Sequence, residues 1–403
     1  MRILMINHFP LEGSGSGTYT KNLAMQLVKQ GHEVCVILPE NTLDFPRYAG
    51  VRMHPVFFTN TDAGEAAPTP DALPFNFPCF TTHPVSTMAF DGLSCDQMDA
   101  YLAAFKAAID EEVRSFAPDV VHGQHVWALP SLAADCGVPL VLTAHGTDLM
   151  GYDKWPSMRR FAEVAMDACR KVICISADNE QLVRSAFPQH AGKIVRMRNG
   201  YNADIFYPQK LDRGEILGRY GVPYAGEDMV LFAGKMTRFK GIDVLLDSAA
   251  IYEGTCPNAM TVLAGDGEER VGLEAQARNL GLRRVHFIGN VAQHELARLY
   301  SVADIDLVPS RREPFVLVAV EAMACGTPVV ATNQGGLPDF VNDAVGSLVE
   351  PENAADLARG VTATLKRALA NPSWRADIAA YAKDNYSQET IIGELESLYR
   401  ACC

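Results

Sequence analysis

The sequence predicts an α/β fold built from two doubly wound domains, each a parallel sheet covered by helices. Two observations carry this. Short apolar runs of strand length recur along the 403 residues, most of them followed by a helical pattern or a glycine turn. These runs fall into two series separated by NGYNADIFYPQ at 199–209, and each series spans the length of an ordinary domain. The expected division is therefore 1–204 and 205–385, with a last helical segment at 386–403.

The first series opens with RILMI at 2–6. A glycine/serine loop, GSGSGT at 13–18, leads into the amphipathic stretch YTKNLAMQLVKQG, and EVCVIL follows as the next strand. DVVHG (119–123), PLVLTAHG (139–146) and KVICIS (171–176) continue the pattern. Residues 60–98 interrupt it. They are rich in Pro, Thr and Phe without a clear period, and are too long for an ordinary connection, so a functional lid or a partly mobile segment is expected. The second series comprises MVLFAGK, MTVLAGDG, VHFIGNV, IDLVPS and PVVATN. SQETIIGELESLYRA closes the chain as an amphipathic helix with a Ser-x-x-Thr start.

Composition narrows the function. Net charge is −13, and residues 1–204 carry 16 basic and 22 acidic side chains, so the acidity is spread over both halves. This argues against nucleic acid and against a generic anionic membrane surface as partners. No run of 18 apolar residues exists, so no transmembrane helix is expected. The N-terminus reads as a strand and lacks a signal-peptide pattern, which points to the cytoplasm. Ten cysteines are scattered without metal-ligand spacing, and most sit in apolar stretches as small hydrophobes.

Two carboxylates stand out in EPFVLVAVEAMACGTPVVATNQGGLPDF (313–340). Seven residues, all apolar or proline, separate Glu313 from Glu321. Pro314 suits a first helical turn, Phe315 to Ala324 reads as the helix, and Gly326 and Pro328 end it. Eight residues of helix place the two backbones roughly 12 Å apart on similar faces. A sugar-hydrolysing pair needs its carboxylates about 5 to 9.5 Å apart. The spacing fits two ends of one long ligand better, with an anion between them at the helix mouth.

Other stretches offer ligand-binding chemistry with structural alternatives beside it. Gly13, Gly15 and Gly17 alternate, which is neither the dinucleotide fingerprint nor a P-loop. They make either a flexible turn or a backbone that approaches a ligand. FAGKMTRFKG (232–241) places Gly234, Lys235, Arg238 and Lys240 after a strand, as an anion site or a solvated basic turn. AGDGEER carries Gly265 and Gly267. In HGTD, His145 is either structural or a hydrogen-bonding or acid/base group, and Asp148 is a candidate helix cap.

Taken together, these motifs resemble the retaining glycosyltransferases of family 4, with the GT-B fold of two Rossmann-like domains facing an interdomain cleft. The carriers are the paired-glutamate stretch, FAGKMTRFKGIDVLL, LAGDGEER, VHFIGNV, NGYNADIFYP, AHGTD and the glycine-rich loop. The resemblance implies that Glu321 binds the nucleotide ribose and that Glu313 holds sugar hydroxyls near the reacting carbon. It implies that the backbone of Phe315, Val316 and Leu317 meets the sugar and diphosphate, and that Lys240 binds the diphosphate. Lys235 stands where most members have Arg, keeping the charge without the bidentate fork. Asn290 and Val291 lie where the base is cradled, and His145 lies near the donor sugar. Glu313, His145, Lys240 and Lys235 are the implied catalytic set, and Gly15, Gly17, Gly234, Arg238 and Gly265 join the donor site.

The implied reaction moves a hexosyl group from a nucleotide sugar, with UDP favoured and GDP-mannose second, to a small-molecule or glycan hydroxyl. It needs no cofactor and no metal, retains anomeric configuration, and uses Lys235, Lys240 and a helix N-terminus on the leaving diphosphate. Arg159 and Arg160 resemble the place where relatives with anionic acceptors put a cation. The alternatives are the start of a surface helix for that pair and, for the whole chain, a GT-B phosphorylase, a nucleotide-sugar epimerase or a non-catalytic sugar-nucleotide sensor.

Overall fold

A computed structural model of the chain describes residues 1–81, 83–198, 200–311 and 317–403. It divides into two compact units, residues 1–198 with 391–403, and residues 199–390.

The first unit holds a seven-stranded sheet, all parallel: β1 (Arg2–Ile6), β2 (Glu33–Glu40), β3 (Val51–Phe57), β4 (Val120–Gln124), β5 (Leu140–Ala144), β6 (Lys171–Cys174) and β7 (Ile194–Arg196). Its order is β3-β2-β1-β4-β5-β6-β7. The helices are α1 (Gly15–Lys29), α2 (Cys95–Ser115), α3 (Ala128–Ser131), α4 (Thr147–Lys154), α5 (Arg159–Ala168) and α6 (Ala177–Ala186). The central strands β1, β4 and β5 are buried along nearly their whole length, as crossover helices on both faces require.

The second unit repeats the plan with α7 (Arg213–Gly218), β8 (Asp228–Ala233), α8 (Ile242–Thr255), β9 (Ala259–Ala264), α9 (Arg270–Asn279), β10 (Val285–Gly289), α10 (Gln293–Val302), β11 (Ile305–Val308), α11 (Leu317–Ala324), β12 (Val329–Thr332), β13 (Gly346–Val349), α12 (Ala354–Ala370) and α13 (Trp374–Tyr386). Its parallel sheet runs β10-β9-β8-β11-β12-β13. Separate apolar cores cover the two faces, one containing Leu231 and Val262, the other Phe232 and Leu263. Neighbouring residues of one strand thus feed opposite cores, which is why these strands read as unbroken apolar runs.

α14 (Gln388–Cys402) closes the chain, and its residues from 391 onward belong to the first unit. There the Tyr399 hydroxyl lies 2.6 Å from His122 Nδ1, and His32 Nε2 lies 2.7 Å from Glu396.

The segment at 60–98 differs from the expected lid or mobile stretch. It is mostly irregular up to α2, but Phe75, Phe77, Cys79, Phe80 and Phe90 are buried in the core of the first unit. Asn76 donates to the Val85 carbonyl and to Asp62, and Asp62 accepts from the Thr87 N–H, so polar bonds tie the loop to itself. Its phenylalanines do the work of a missing regular element: they form part of the core, not a detached flap.

Candidate functional site

In each sheet the strand order reverses at one point, between β1 and β4 in the first unit and between β8 and β11 in the second. Loops leaving neighbouring strands there diverge to opposite faces and open a crevice at the carboxyl ends.

In the second unit this crevice is built from backbone. Gly234 and Gly265 directly follow β8 and β9 and Gly289 ends β10, and these segments are joined by Gly234 N–H to Ala264 O at 3.0 Å, Gly265 N–H to Gly289 O at 2.8 Å and Met236 N–H to Asp266 O at 2.8 Å. A Cβ on Gly267 would come 2.4 Å from the Met236 carbonyl oxygen, so only glycine lets these loops close on each other. The basic loop continues from Gly234. Lys235, Arg238 and Phe239 are exposed, and Lys240 is half-buried, with its Cε 3.9 Å from where a Gly234 Cβ would stand.

The loop after β11 locks against this basic loop. Arg311 N–H donates to the Phe239 carbonyl at 2.7 Å, and Arg311 Nη1 donates to the Arg238 carbonyl at 2.8 Å. The Arg311 guanidinium also grips Asp243 at the start of α8 with two bonds of 2.7 Å and pairs with Glu352. These two partners hold the Arg311 pKa above its ordinary value. Arg311 is thus a structural clamp that sequence reading missed, because Asp243 lies 68 positions away. It ends the described stretch just before the glutamate motif.

Glu313, Phe315 and Val316 lie outside the described residues, as does Pro314, so the expected Glu313–Glu321 spacing and the Phe315 helix start lie there too. Leu317 opens α11 and is buried. Glu321, one turn on, is 6% exposed on the same helix. Its charge reaches Tyr300 and Asp306, raising the pKa of both, although burial is the larger cause in each. Asn290 is exposed after β10, and Val291 is half-buried against the core.

In the first unit, Gly15 and Gly17 lie inside α1. The helix begins three residues before the expected loop ends, because Ser14 caps it by accepting from the Gly17 N–H at 3.0 Å. A Cβ on Gly17 would meet the Pro10 carbonyl at 2.3 Å, so its glycine serves packing within the turn.

His145 follows β5 and is buried, with Nε2 2.8 Å from Gln124 Oε1 at the end of β4. Its ring stands 4.7 Å from the His125 ring and 5.3 Å from the Tyr19 ring, centroid to centroid. Burial, helped by His122 and His8, lowers its pKa to about 3. The imidazole is therefore neutral at pH 7 and suited to hydrogen bonding. Asp148 is not the cap of α4, a position taken by Gly146 at φ 88°. Asp148 lies in the first turn and accepts from the N–H groups of Val126, His145 and Leu149. Burial raises its pKa to about 6 against the pull of those donors.

Gln124 and His125 are a second omission of the sequence reading. His125 is fully buried with φ 78°, a strained value for a residue other than glycine. The only sequence signal was the unusual density of His in VHGQHVW.

Arg159 starts α5. Its Nε donates to the Tyr152 carbonyl at 2.7 Å and its guanidinium lies 5.0 Å above the Tyr152 ring. Arg160 is exposed and stacks on Phe161 at 4.7 Å. Arg159 is thus engaged in tying α4 to α5.

Two doubly wound parallel sheets, with a glycine-lined crevice and a basic loop at the switch point of the second, make a two-domain Rossmann-like architecture. The comparisons agree. Residues 13–205 match the model of Glycosyltransferase Family 4, and residues 221–385 match that of Glycosyl transferases group 1. The D-inositol 3-phosphate glycosyltransferase of Nocardiopsis dassonvillei is 34% identical over 310 residues, 70% of each chain. An uncharacterised glycosyltransferase of Methanocaldococcus jannaschii is 28% identical over 97% of each chain. Among solved structures, sucrose-phosphate synthase of Thermosynechococcus elongatus aligns over 100% of this chain and 98% of its own, with a TM-score of 0.74 and 23% identity. Anabaena HepE in complex with UDP-glucose aligns over 100% of both, with a TM-score of 0.71 and 22% identity. The chain has the GT-B fold and is a glycosyltransferase. It belongs to glycosyltransferase family 4.

Proposed function

We propose that this chain is a retaining, metal-independent hexosyltransferase that takes its sugar from a UDP-sugar and passes it to the hydroxyl of a small molecule or glycan. The observation that carries this reading is the closure of the β8, β9 and β10 loops around Gly234, Gly265 and Gly289, with Lys235, Arg238 and Lys240 on the same edge. Close-approaching backbone beside three cations suits a diphosphate. UDP and UDP-glucose in the HepE structures favour uridine as the base.

In this scheme the bond from the sugar anomeric carbon to the diphosphate oxygen breaks, and the acceptor oxygen bonds to the same face of that carbon. The acceptor proton passes to an oxygen of the departing diphosphate. Lys235 and Lys240 stabilise the charge growing on the leaving group. Glu313 holds sugar hydroxyls, Glu321 the ribose, and neutral His145 donates or accepts a hydrogen bond near the sugar. The ten free thiols favour a reducing compartment such as the cytoplasm.

Thermal unfolding with UDP, GDP, ADP and TDP, each without metal, tests the reading. A nucleotide at a hundred times its dissociation constant stabilises by about 2.7 kcal/mol. A shift selective for UDP is expected. A shift selective for GDP redirects the donor to GDP-mannose, and no shift with any of the four overturns the nucleotide site.

A further inference from the structure

A cavity of about 230 Å³ opens at the carboxyl ends of β1 and β2 in the first unit, and its lining His83 stacks on Phe9, whose ring also meets His125 of the His145 cluster. Residues 10–13 leading into α1, the stretch after β2 that includes Tyr48, and residues 83–85 of the long insertion form its walls. It is smaller than the roughly 300–1,000 Å³ pockets of drug-sized ligands, so it suits a single ring.

Glu40 decides its chemistry. This last residue of β2 is 6% exposed, lines the cavity, and makes no side-chain hydrogen bond or ion pair among the described residues. Most of the residue is covered while the carboxyl keeps its lone pairs open, as a group that faces a cavity does. Burial pushes its pKa up to about 7, against the pull of Arg47. Its neighbours are already set. Glu12 is held by the Tyr48 hydroxyl at 2.6 Å and by Lys21 at 2.9 Å, and His83 Nε2 lies 3.0 Å from the Glu12 carbonyl. Three carboxylates (Glu12, Glu40 and Asp44) and no Lys or Arg line the cavity among the described residues. The remaining wall is largely apolar, with Phe45, Pro46, Pro84 and Val85.

We propose that this cavity binds a neutral polyhydroxylated ring, of one sugar or cyclitol in size, with Glu40 taking adjacent hydroxyls. The apolar wall covers the C–H face of the ring, and a carboxyl with open lone pairs accepts from hydroxyls. A phosphorylated ring is disfavoured, because its charge would face three carboxylates while the nearest cations, Lys21 and Arg47, already answer Glu12 and Glu40. On the transferase reading, on which this step rests, the cavity holds the acceptor. The acceptor is then uncharged, unlike the inositol phosphate in the names of the relatives and unlike the anionic acceptor suggested by Arg159 and Arg160.

The test is saturation-transfer NMR on the full chain with millimolar glucose, myo-inositol, their monophosphates and glucosamine, with and without UDP. At least one neutral ring is expected to bind, and its monophosphate to bind more weakly. Glu40→Gln keeps the shape and weakens that binding at least about tenfold, or 1.4 kcal/mol. Val85→Trp fills the cavity from its apolar wall and has the same effect. The UDP-induced thermal shift persists in both variants. Tighter binding of a monophosphate, binding of glucosamine alone, no ring bound, or undiminished binding in both variants overturns the proposal. Ring binding that obeys these rules without any nucleotide shift leaves the cavity assigned and overturns the transferase reading instead.

Discussion

The backbone of Gly265 passes so close to Gly234 that a Cβ at position 265 would stand 1.9 Å from the Gly234 carbonyl oxygen. Gly265 has φ 144° and its N–H donates to Gly289, so the residue is fixed from both sides. Gly265→Ala must separate the β8 and β9 loops. Overpacking of this kind costs about 1–3 kcal/mol. A fall of that size in the urea stability of the variant is expected, together with loss of the UDP-induced thermal shift. Unchanged stability and an unchanged shift would show that the loop contact carries no weight.

On the proposed reading Glu313 positions the sugar, and its expected role is kinetic. As a residue that positions the sugar, it is needed more in the transition state than in the ground state. Glu313→Ala should lower turnover on the order of a hundredfold, the scale of losing one preorganised polar contact, while UDP affinity stays nearly constant. Steady-state kinetics with UDP titration separates the two. Equal activity in the variant sinks the assignment, and equal losses in turnover and UDP affinity make Glu313 a general donor-binding residue.

Legibility followed burial. The central strands were readable because both faces are covered and their sequences are unbroken apolar runs. The missed strands β3, β7 and β13 are three of the four sheet edges, and the fourth, β10, was read from its apolar VHFIG run although it is only half-buried. β3 includes Arg52, His54 and Pro55 and is largely half-buried, so it carries no such run. The loops after β8 and β9 were legible because glycine and lysine after a strand are local signals. The Arg311–Asp243 clamp and the Glu40 cavity were not, since each joins segments far apart in the chain. Ser14 hid the start of α1, because a capping serine among glycines reads as loop.

The histidines of the first unit predict acid sensitivity. Burial lowers His8, His122 and His145 to about 3 and His125 well below its ordinary value. In the unfolded chain each takes a proton below about pH 6.5, so folding stability is lost as pH falls through that value. Glu40 and Asp148 act the other way, since their raised values of about 7 and about 6 let the folded state bind protons first. Below about pH 6 the first-unit groups therefore leave the unfolded state roughly two protons ahead, and the proton kept by folded Asp306 in the second unit offsets about one of them, so stability falls by roughly 1.4 kcal/mol per pH unit. Urea denaturation followed from pH 7 to pH 5 should show the midpoint falling steeply below pH 6.5. A flat profile would mean that these imidazoles are protonated in the folded protein.

Asp306 predicts the opposite pH trend in the second unit. It lies within β11, fully buried, and neither carboxylate oxygen has a hydrogen-bond partner, nor does the buried Tyr300 hydroxyl among the described residues. Burial first, and the charge of Glu321 second, raise its pKa well above the ordinary carboxylate range, while the neighbouring Leu307 N–H, outside hydrogen-bond geometry, pulls the other way. The folded state thus keeps a proton that the unfolded state has released. Stability from this site is fully present below about pH 3.9, the unfolded value, and is lost as pH rises toward the folded value. Asp306→Val removes both the ionisable group and the unsatisfied oxygens, and valine suits a buried strand. The variant should gain about 1–3 kcal/mol at pH 7.5, the cost of burying a polar group without a partner. That gain should shrink when the same urea titration is run at pH 4.5. If the variant is instead destabilised while its UDP-induced thermal shift collapses, Asp306 acts on the nucleotide through Glu321, and its burial is tolerated for that reason.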